Sequence, residues 1–374
     1  MPVSNGASPL ALAALALTLA CGGAPRPTGP AAAPGPARAN SPKPAQTPAS
    51  PPPAATPATT LATPATLAGE RVAGPLALTH GGVGSPPSLS EGTDAAARAA
   101  LARLTVGDDA LAAAIAGTVV LEDDPRFNAG TGSNIRLDGA TIQMDAALMT
   151  DDGRFAAVAV IERVRNPIRA ARLVLDSPHL LLAGEGATRF AHAMGLPDEV
   201  PRAAEAERKY QARLAELEAA AGRGEPAALA WRRYWNFPGE MPAAMKAWRE
   251  GGDTVGTVTR DADGRFAATL STGGTSVTLH GRVGDVPIYG AGLYAGEHGA
   301  VACTGEGEWI IRHALARATY EEIAAGASAR DAVHAAVAGF PADIAVGVIA
   351  VDRGGWGVAA NLEMAHGVAH SPPR

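Results

Sequence analysis

The sequence is poor in several features that mark common protein classes. Cysteine occurs only twice in 374 residues, as Cys21 and Cys303, which excludes a disulfide scaffold and a cysteine-based zinc site. The net charge of −6 argues against binding nucleic acid through a broad basic surface. No apolar run reaches the roughly 18 residues of a membrane-spanning helix, and the nine histidines show no HExxH pattern of a catalytic zinc site. The hydrophobic content of 47% is nevertheless enough for a full core.

The first residues indicate export. Residues 1–23 carry no charged side chain, and the apolar run 10–20 is followed at once by Cys21. This order is typical of a bacterial lipoprotein signal, so residues 1–21 are interpreted as an export or lipoprotein signal with a lipid anchor at Cys21. The protein is then membrane-anchored or periplasmic. The alternative is a misassigned start codon, in which case it is cytoplasmic.

Residues 22–75 are rich in proline and alanine. Of the 30 prolines, 13 fall within residues 24–66, which contain three charges. Such a composition favours extended polyproline-like segments over a packed core. We therefore predict a disordered tether between the signal and a folded domain.

From residue 76 onward the pattern is that of a mixed globular domain. Apolar runs bounded by turn residues predict strands at 76–80, 156–161, 255–260, 265–271, 346–352 and 356–361. Helical spacing predicts helices at 91–104, 108–120, 166–175, 180–194, 205–223, 308–326 and 328–338. Residues 201–252 are interpreted as a partly ordered connector with one exposed helix. The order of elements favours an α+β fold.

A series of motifs in a fixed order carries the functional signal. It runs HGGVG at 80–84, LEDDPRFNAGTG at 121–132, MDA at 144–146, GDTVGTV at 252–258, STGG at 271–274, GRVGD at 281–285 and CTGEGE at 303–308. The series resembles the plant-type asparaginase / isoaspartyl peptidase family, which are N-terminal nucleophile hydrolases of the threonine type. The resemblance implies a four-layer αββα sandwich and a homodimer of cleaved αβ units.

Threonine chemistry explains why such a chain must be cut. A threonine hydroxyl is a weak nucleophile, and the α-amine of the same residue, with a reference pKa of about 7.7–8.0, can serve as its base once that residue is a chain terminus. The resemblance places autoproteolysis between Asp253 and Thr254. It gives an α chain of residues 76–253 and a β chain of residues 254–374, and a β-aspartyl ester on Thr254 during catalysis.

The resemblance also assigns the residues around the nucleophile. Thr272 is expected to hold the Thr254 side chain, and Asn128 is expected to be oriented toward it. Thr304 and the Gly305 amide are expected to form an oxyanion hole, because fixed donors stabilise the developing negative charge.

Substrate recognition is assigned to Arg282, Asp285, Gly305 and Gly307. A guanidinium pairs bidentately with an α-carboxylate, and a nearby carboxylate holds an α-ammonium. The predicted substrates are therefore L-asparagine and small isoaspartyl (β-aspartyl) dipeptides. Asp253 before the nucleophile also fits a glycosylasparaginase, and a catalytically silent surface-tethered relative is the remaining alternative.

No organic cofactor is expected, but the resemblance implies a structural sodium ion. Hard cations prefer oxygen ligands, and backbone carbonyls supply them without constraining the side chains. The implied ligands are the carbonyls of Leu121, Glu122, Asp124, Phe127, Ala129 and Thr131.

Overall fold

The computed structural model describes residues 60–224 and 254–371, and it confirms the α+β prediction. Its strands are β1 Thr66–Arg71, β2 Leu76–His80, β3 Met144–Thr150, β4 Phe155–Ile161, β5 Leu181–Ala183, β6 Val255–Arg260, β7 Phe266–Thr272, β8 Leu293–Gly296, β9 Gly299–Gly305, β10 Val346–Asp352, β11 Gly355–Ala360 and β12 His366–His370. Its helices are α1 Ser90–Thr105, α2 Ala110–Asp123, α3 Pro167–Val174, α4 Gly184–Ala193, α5 Ala204–Gly222, α6 Gly307–His313, α7 Leu315–Ala324 and α8 Ala329–Ala338.

The strands form two sheets. One has seven strands in the order β12-β2-β6-β7-β3-β4-β5, and the other has five in the order β1-β11-β10-β9-β8. Neighbours are antiparallel except for β4 and β5, which run parallel. The sequence order is therefore interleaved, because β6 and β7 lie between β2 and β3 in the larger sheet.

The two sheets share one apolar core. Leu78, Val258 and Leu270 of the larger sheet pack in the same cluster as Leu293 and Ile349 of the smaller one. The outer face of the larger sheet packs against α1, α2, α3 and α4, and α5 adds its buried side chains to the same layer. The outer face of the smaller sheet packs against α6, α7 and α8. Strands buried on both faces explain why their sequences read as continuous apolar runs.

The predicted disorder of residues 22–75 is wrong for the end of that segment. Residues 66–71 form β1, which pairs with β11 in register from Thr66 opposite Ala360 to Arg71 opposite Gly355. Further backbone bonds run from Ala62 N to the Phe340 oxygen at 2.8 Å and from Ala342 N to the Thr60 oxygen at 2.9 Å. This pairing supplies the backbone partners that the local sequence lacks. Residues 1–59, including Cys21, lie outside the described residues.

The predicted helix 308–326 is in fact two helices. Ala314 takes a left-handed conformation with φ 44°, which separates α6 from α7. The amides of Ala316 and Arg317 in the new first turn donate to the carbonyls of Ala291 and Gly290, both at 3.0 Å. Tertiary hydrogen bonds therefore compensate for the break.

The first part of the connector is ordered on the domain. Helix α5 confirms the predicted helix near residues 205–223, and its Ala206, Tyr210 and Leu217 are buried against the larger sheet's helical layer. Residues 225–253 lie outside the described part of the chain. None of the described helices combines the length and the apolar composition needed to cross a bilayer.

Candidate active site

Thr254 directly precedes β6 in the middle of the larger sheet and is only 4% exposed. Strands β6 and β7 pair Val255 with Ser271, so the next antiparallel position sets Thr254 opposite Thr272. Strand β3 in turn pairs Asp145 with Thr272. Residues opposite each other in a sheet project from the same face. Thr254, Thr272 and Asp145 therefore form a row at the ends of three strands.

Strand alternation shows which face this row occupies. Leu270, two residues before Thr272, belongs to the core between the sheets, and so does Ala302, two residues before Thr304. Side chains two apart on a strand share a face. Thr272 and Thr304 therefore point from opposite sheets into the same layer, and Thr254, opposite Thr272, faces that layer too.

Thr272 and Asn128 are joined through one turn. The Thr272 Oγ1 accepts the Gly274 amide at 3.0 Å, and the Asn128 Nδ2 donates to the Gly274 carbonyl at 2.6 Å. The Asn128 carbonyl also accepts the Gly273 amide at 3.0 Å. Asn128 thus fixes the turn that follows Thr272. The Thr272 hydroxyl accepts this bond and can still donate another. The predicted hydrogen bond from Thr272 to Thr254 stays a prediction.

Thr304 and Gly305 end β9 beside the loop at 81–84. The Val83 amide donates to the Thr304 Oγ1 at 3.2 Å. Gly305 has a φ of 137°, and a Cβ there would lie 2.2 Å from the Ala345 carbonyl oxygen. Only glycine fits this close approach. The conformation of the Gly305 backbone is therefore imposed by β10 and its preceding loop.

His80, at the end of β2, is buried beside the nucleophile position. It pairs with Gly256, where a Cβ would come within 2.5 Å of the His80 Nε2. Burial lowers the pKa of His80 to about 3, against the opposing effect of the nearby Thr254 backbone. The imidazole is therefore neutral near pH 7.

The predicted substrate-binding residues form a second cluster. A Cβ on Gly307 would lie 3.0 Å from Oδ1 of Asp285 and 3.1 Å from Nη2 of Arg282, so the three residues are immediate neighbours. Burial raises the pKa of Asp285 to about 7, although the Arg282 charge opposes this. A buried carboxylate beside an arginine is suited to bind an ammonium group next to a carboxylate.

Arg282 has a partner that the sequence analysis does not assign. Its Nε and Nη2 donate to Oε1 and Oε2 of Glu308 at 3.1 and 2.9 Å. Glu308 lies in the first turn of α6, directly after Gly307. Its place in the CTGEGE motif was the available signal, but the motif alone gives no role to this carboxylate.

Two buried charged residues behind the cluster are also missed by sequence reasoning. Asp145 accepts the Val160 amide at 2.7 Å, and burial raises its pKa while Arg136 and Arg282 oppose that effect. Arg136 is fully buried and donates from Nη2 to the Gln143 carbonyl at 3.0 Å. Asp145 stands in the MDA motif and in an apolar strand, where a charged residue is itself a signal, whereas Arg136 lies in a loop that carries none.

The predicted sodium loop begins in the last turn of α2, which contains Leu121 and Glu122. A Cβ on Gly130 would lie 2.5 Å from the Glu122 carbonyl oxygen, and one on Gly132 would lie 2.0 Å from that of Phe127. The main-chain oxygens of Glu122 and Phe127 therefore lie where a side chain on these two glycines would not fit. The carbonyls of Asp124, Phe127 and Ala129 also accept amides within the loop, and their second lone pairs can still bind a cation.

The Glu122 side chain has a separate role in the same region. Its Oε1 accepts the Ile168 amide at 2.9 Å at the start of α3. Burial raises the pKa of Glu122 to about 8, opposed by Ser271, the Ile168 amide and Asn166. This carboxyl thus links the end of α2 to the start of α3.

A surface cavity of about 520 Å³ lies elsewhere, at the edge of the smaller sheet. Arg71, Arg330, Asp352 and Trp356 are among its lining residues, and none of the predicted site residues lines it. The predicted site is therefore defined by its converging polar groups and not by this cavity.

The sequence model of the asparaginase family matches residues 79–371. The chain belongs to the asparaginase family. It is similar to the plant-type L-asparaginase of Pyrococcus abyssi, with 39% identity over 299 residues that cover 76% of this chain and 93% of that protein. It is also similar to the isoaspartyl peptidase/L-asparaginases of Danio rerio and Homo sapiens. The alignment with the Danio rerio protein has 35% identity and covers 75% of this chain and 87% of that protein. The alignment with the Homo sapiens protein also has 35% identity and covers 69% of this chain and 80% of that protein.

The family match confirms the resemblance and the prediction of a hydrolase. It extends from β2 to β12, whereas β1 lies before the matched residues. The roles of individual side chains stay predictions. Asp253 lies outside the described residues, so the predicted cleavage point is seen only from its Thr254 side.

Proposed function

We propose that this asparaginase-family protein is a self-processing threonine hydrolase that cleaves isoaspartyl peptides and L-asparagine. The observation that carries the proposal is the joint placement of two clusters. Thr254, Thr272 and Thr304 face one layer between the sheets, and Arg282 adjoins Asp285. The names of the relatives, plant-type L-asparaginase and isoaspartyl peptidase/L-asparaginase, agree with this reaction.

In this proposal the Thr254 hydroxyl first attacks the Asp253 carbonyl carbon. The peptide bond between them breaks, the acyl group passes to the hydroxyl as an ester, and water hydrolyses that ester. The products are a carboxylate at Asp253 and a free amine at Thr254. The burial of Thr254 supports this step, because packing limits the conformations that its side chain can take.

The same threonine then acts on the substrate. Its amine accepts the hydroxyl proton while the oxygen attacks the side-chain amide carbonyl, which forms a β-aspartyl ester and releases ammonia or an amine. Thr304 and the Gly305 amide stabilise the oxyanion, an interaction that is typically worth about 10²–10³ in rate per donor. Water then releases aspartate. Thr272 and the turn held by Asn128 keep the nucleophile in place.

The substrate's α-amino-acid head is held by the second cluster. Arg282 binds the α-carboxylate and ionised Asp285 binds the α-ammonium, with Gly305 and Gly307 leaving room beside them. This geometry directs the side-chain amide toward Thr254. It selects compounds joined through the aspartate side chain, either asparagine or a small dipeptide.

Strand order explains how the enzyme would survive its own cleavage. The larger sheet alternates strands from before and after residue 254, through the pairs β12–β2, β2–β6 and β7–β3. The pair β1–β11 does the same in the smaller sheet. Main-chain hydrogen bonds therefore hold the two fragments together. The proposed architecture is the four-layer αββα sandwich of N-terminal nucleophile hydrolases, assembled as a homodimer of αβ units.

Two further parts of the proposal concern the ion and the N-terminus. A sodium ion at the carbonyls of residues 121–131 would fix the loop that carries Asn128. Residues 1–21 would direct export, with a lipid on Cys21. The mass of the mature N-terminus, measured with and without globomycin treatment of the expressing cells, tests lipidation.

Intact-mass analysis and a three-substrate assay test the main proposal. We expect two fragments that separate before Thr254, and turnover of β-aspartyl-leucine and asparagine. A single uncut, inactive chain after long incubation would instead indicate a catalytically silent relative. Turnover of N-acetylglucosaminyl-asparagine alone would assign the enzyme as a glycosylasparaginase, the alternative that Asp253 leaves open.

A further inference from the structure

Glu308 binds Arg282 in the way that a substrate carboxylate would. The two hydrogen bonds run in parallel, from Nε to Oε1 at 3.1 Å and from Nη2 to Oε2 at 2.9 Å. This bidentate geometry is the one by which a guanidinium recognises a carboxylate ligand. Arg282, which is predicted to bind the substrate's carboxylate, therefore already binds a carboxylate of the protein itself through two hydrogen bonds.

The two partners differ in how firmly they are held. The Arg282 side chain is 19% exposed, whereas that of Glu308 is 57% exposed. Asp285, immediately beside Arg282, is buried, and Asp145 lies in the interior. The Arg282 charge opposes the rise in pKa of both of these carboxyl groups. Arg282 is thus attracted by interior carboxylates without Glu308, and Glu308 is the partner free to move into solvent.

We propose that Glu308 is a specificity-determining residue, which occupies Arg282 as a stand-in for the substrate's α-carboxylate and exchanges with it during binding. The inference rests on the proposed function, since it takes Arg282 as the carboxylate-binding residue. A ligand with a carboxylate must displace Glu308 to reach Arg282, whereas a ligand with an uncharged head leaves the ion pair in place. Glu308 therefore weakens the binding of substrates with a free α-carboxylate and narrows the preference for them over uncharged analogues.

The size of the effect follows from the exposure of the pair. An exposed ion pair shifts an equilibrium by up to about five-fold. The substitution Glu308→Gln keeps the size of the side chain but removes its charge. We therefore expect it to lower the KM for β-aspartyl-leucine by about two- to five-fold, with a smaller change in kcat. An analogue with an α-carboxamide in place of the α-carboxylate should show no such fall in KM.

A matched control is available on the next helix. Glu321 of α7 forms an exposed ion pair with Arg317 at 2.9 Å, and its side chain is 61% exposed. Glu321→Gln removes the same charge from an ion pair whose arginine, Arg317, is 53% exposed, so it should leave the KM unchanged. Calorimetry of L-aspartate, the expected product, supplies a readout that is independent of turnover. Its Kd should fall in Glu308→Gln and not in Glu321→Gln.

The outcomes separate this inference from the proposed function. A rise in KM and Kd in Glu308→Gln would overturn it, because Glu308 would then position Arg282 for the substrate. Unchanged values would also overturn it, leaving Glu308 a surface ion pair only. If the unsubstituted protein neither hydrolyses β-aspartyl-leucine nor binds aspartate, the proposed function itself fails, and the inference fails with it.

Discussion

The buried carboxyl of Asp285 should cost the protein stability at high pH. This residue is 3% exposed, and burial raises the pKa of its carboxyl from 3.8 to about 7 even though Arg282 is adjacent. The folded protein therefore holds this proton more tightly than the unfolded chain does. Stability from this group is fully present below about pH 4 and is lost as the pH rises through about 7.

The magnitude follows from the shift. Raising the pKa from 3.8 to about 7, at about 1.4 kcal/mol per pKa unit, makes ionisation in the folded state cost at most about 4 kcal/mol more than in the unfolded chain. Asp285→Asn keeps the shape of the side chain and removes the titration. The variant should be more stable than its parent at pH 8.5, by up to this amount, and nearly equal to it at pH 4.

Urea unfolding followed by circular dichroism measures this difference. Both proteins should carry Thr254→Ala, so that a single chain unfolds and its stability does not depend on fragment concentration. Asp263→Asn, at an exposed position between β6 and β7, is the matched control and should show no comparable gain. If Asp285→Asn changes the free energy of unfolding equally at pH 4 and pH 8.5, the carboxyl is not held protonated by burial and the reasoning is refuted.

Three further predictions concern the nucleophile, the oxyanion donor and the added strand. Thr254→Ala should stay a single chain by intact mass and be inactive, and cleavage in it would mean that another group cuts the chain. Gly305→Ala should lower the free energy of unfolding by more than Gly326→Ala, because both glycines have positive φ but only Gly305 meets a carbonyl oxygen, at 2.2 Å. Equal losses, of about 1–3 kcal/mol each, would show that the positive φ alone destabilises both variants and that the contact with the carbonyl oxygen adds nothing. A chain that begins at residue 73 should lose β1 and melt at a lower temperature while keeping its kcat, and an unchanged melting temperature would contradict a role for β1 in stability.

Local patterns in the sequence predict the interior strands well. The predictions of 76–80, 255–260 and 346–352 have the same bounds as β2, β6 and β10. These strands are buried on both faces, so a run of apolar residues bounded by turns identifies them without knowledge of their partners. The motif order also predicts that Arg282 and Asp285 lie together, because only two residues separate them in a tight loop.

Local sequence patterns do not predict the elements that depend on distant partners. Strand β1 is hidden in a Pro/Ala-rich segment, and its partner β11 is more than 280 residues away. No glycine or proline in the sequence marks the helix break at Ala314. The break is stabilised instead by hydrogen bonds from the amides that follow it to the loop at 290–291. In both cases tertiary hydrogen bonds override the local preference.

The charged groups of the site show why its sequence signal is incomplete. Motifs name the groups expected to touch substrate, but Arg136, Asp145 and Glu308 act on those groups from behind or from the side. The pKa values of Asp145 and Glu308 depend on burial and on neighbours in space, which spacing along the chain does not encode. A site that binds a zwitterion must hold opposite charges close together and partly shielded from solvent. The stability cost expected at Asp285 and the competition expected at Glu308 are two consequences of that one requirement. Measurements of both therefore test whether this cluster binds the substrate.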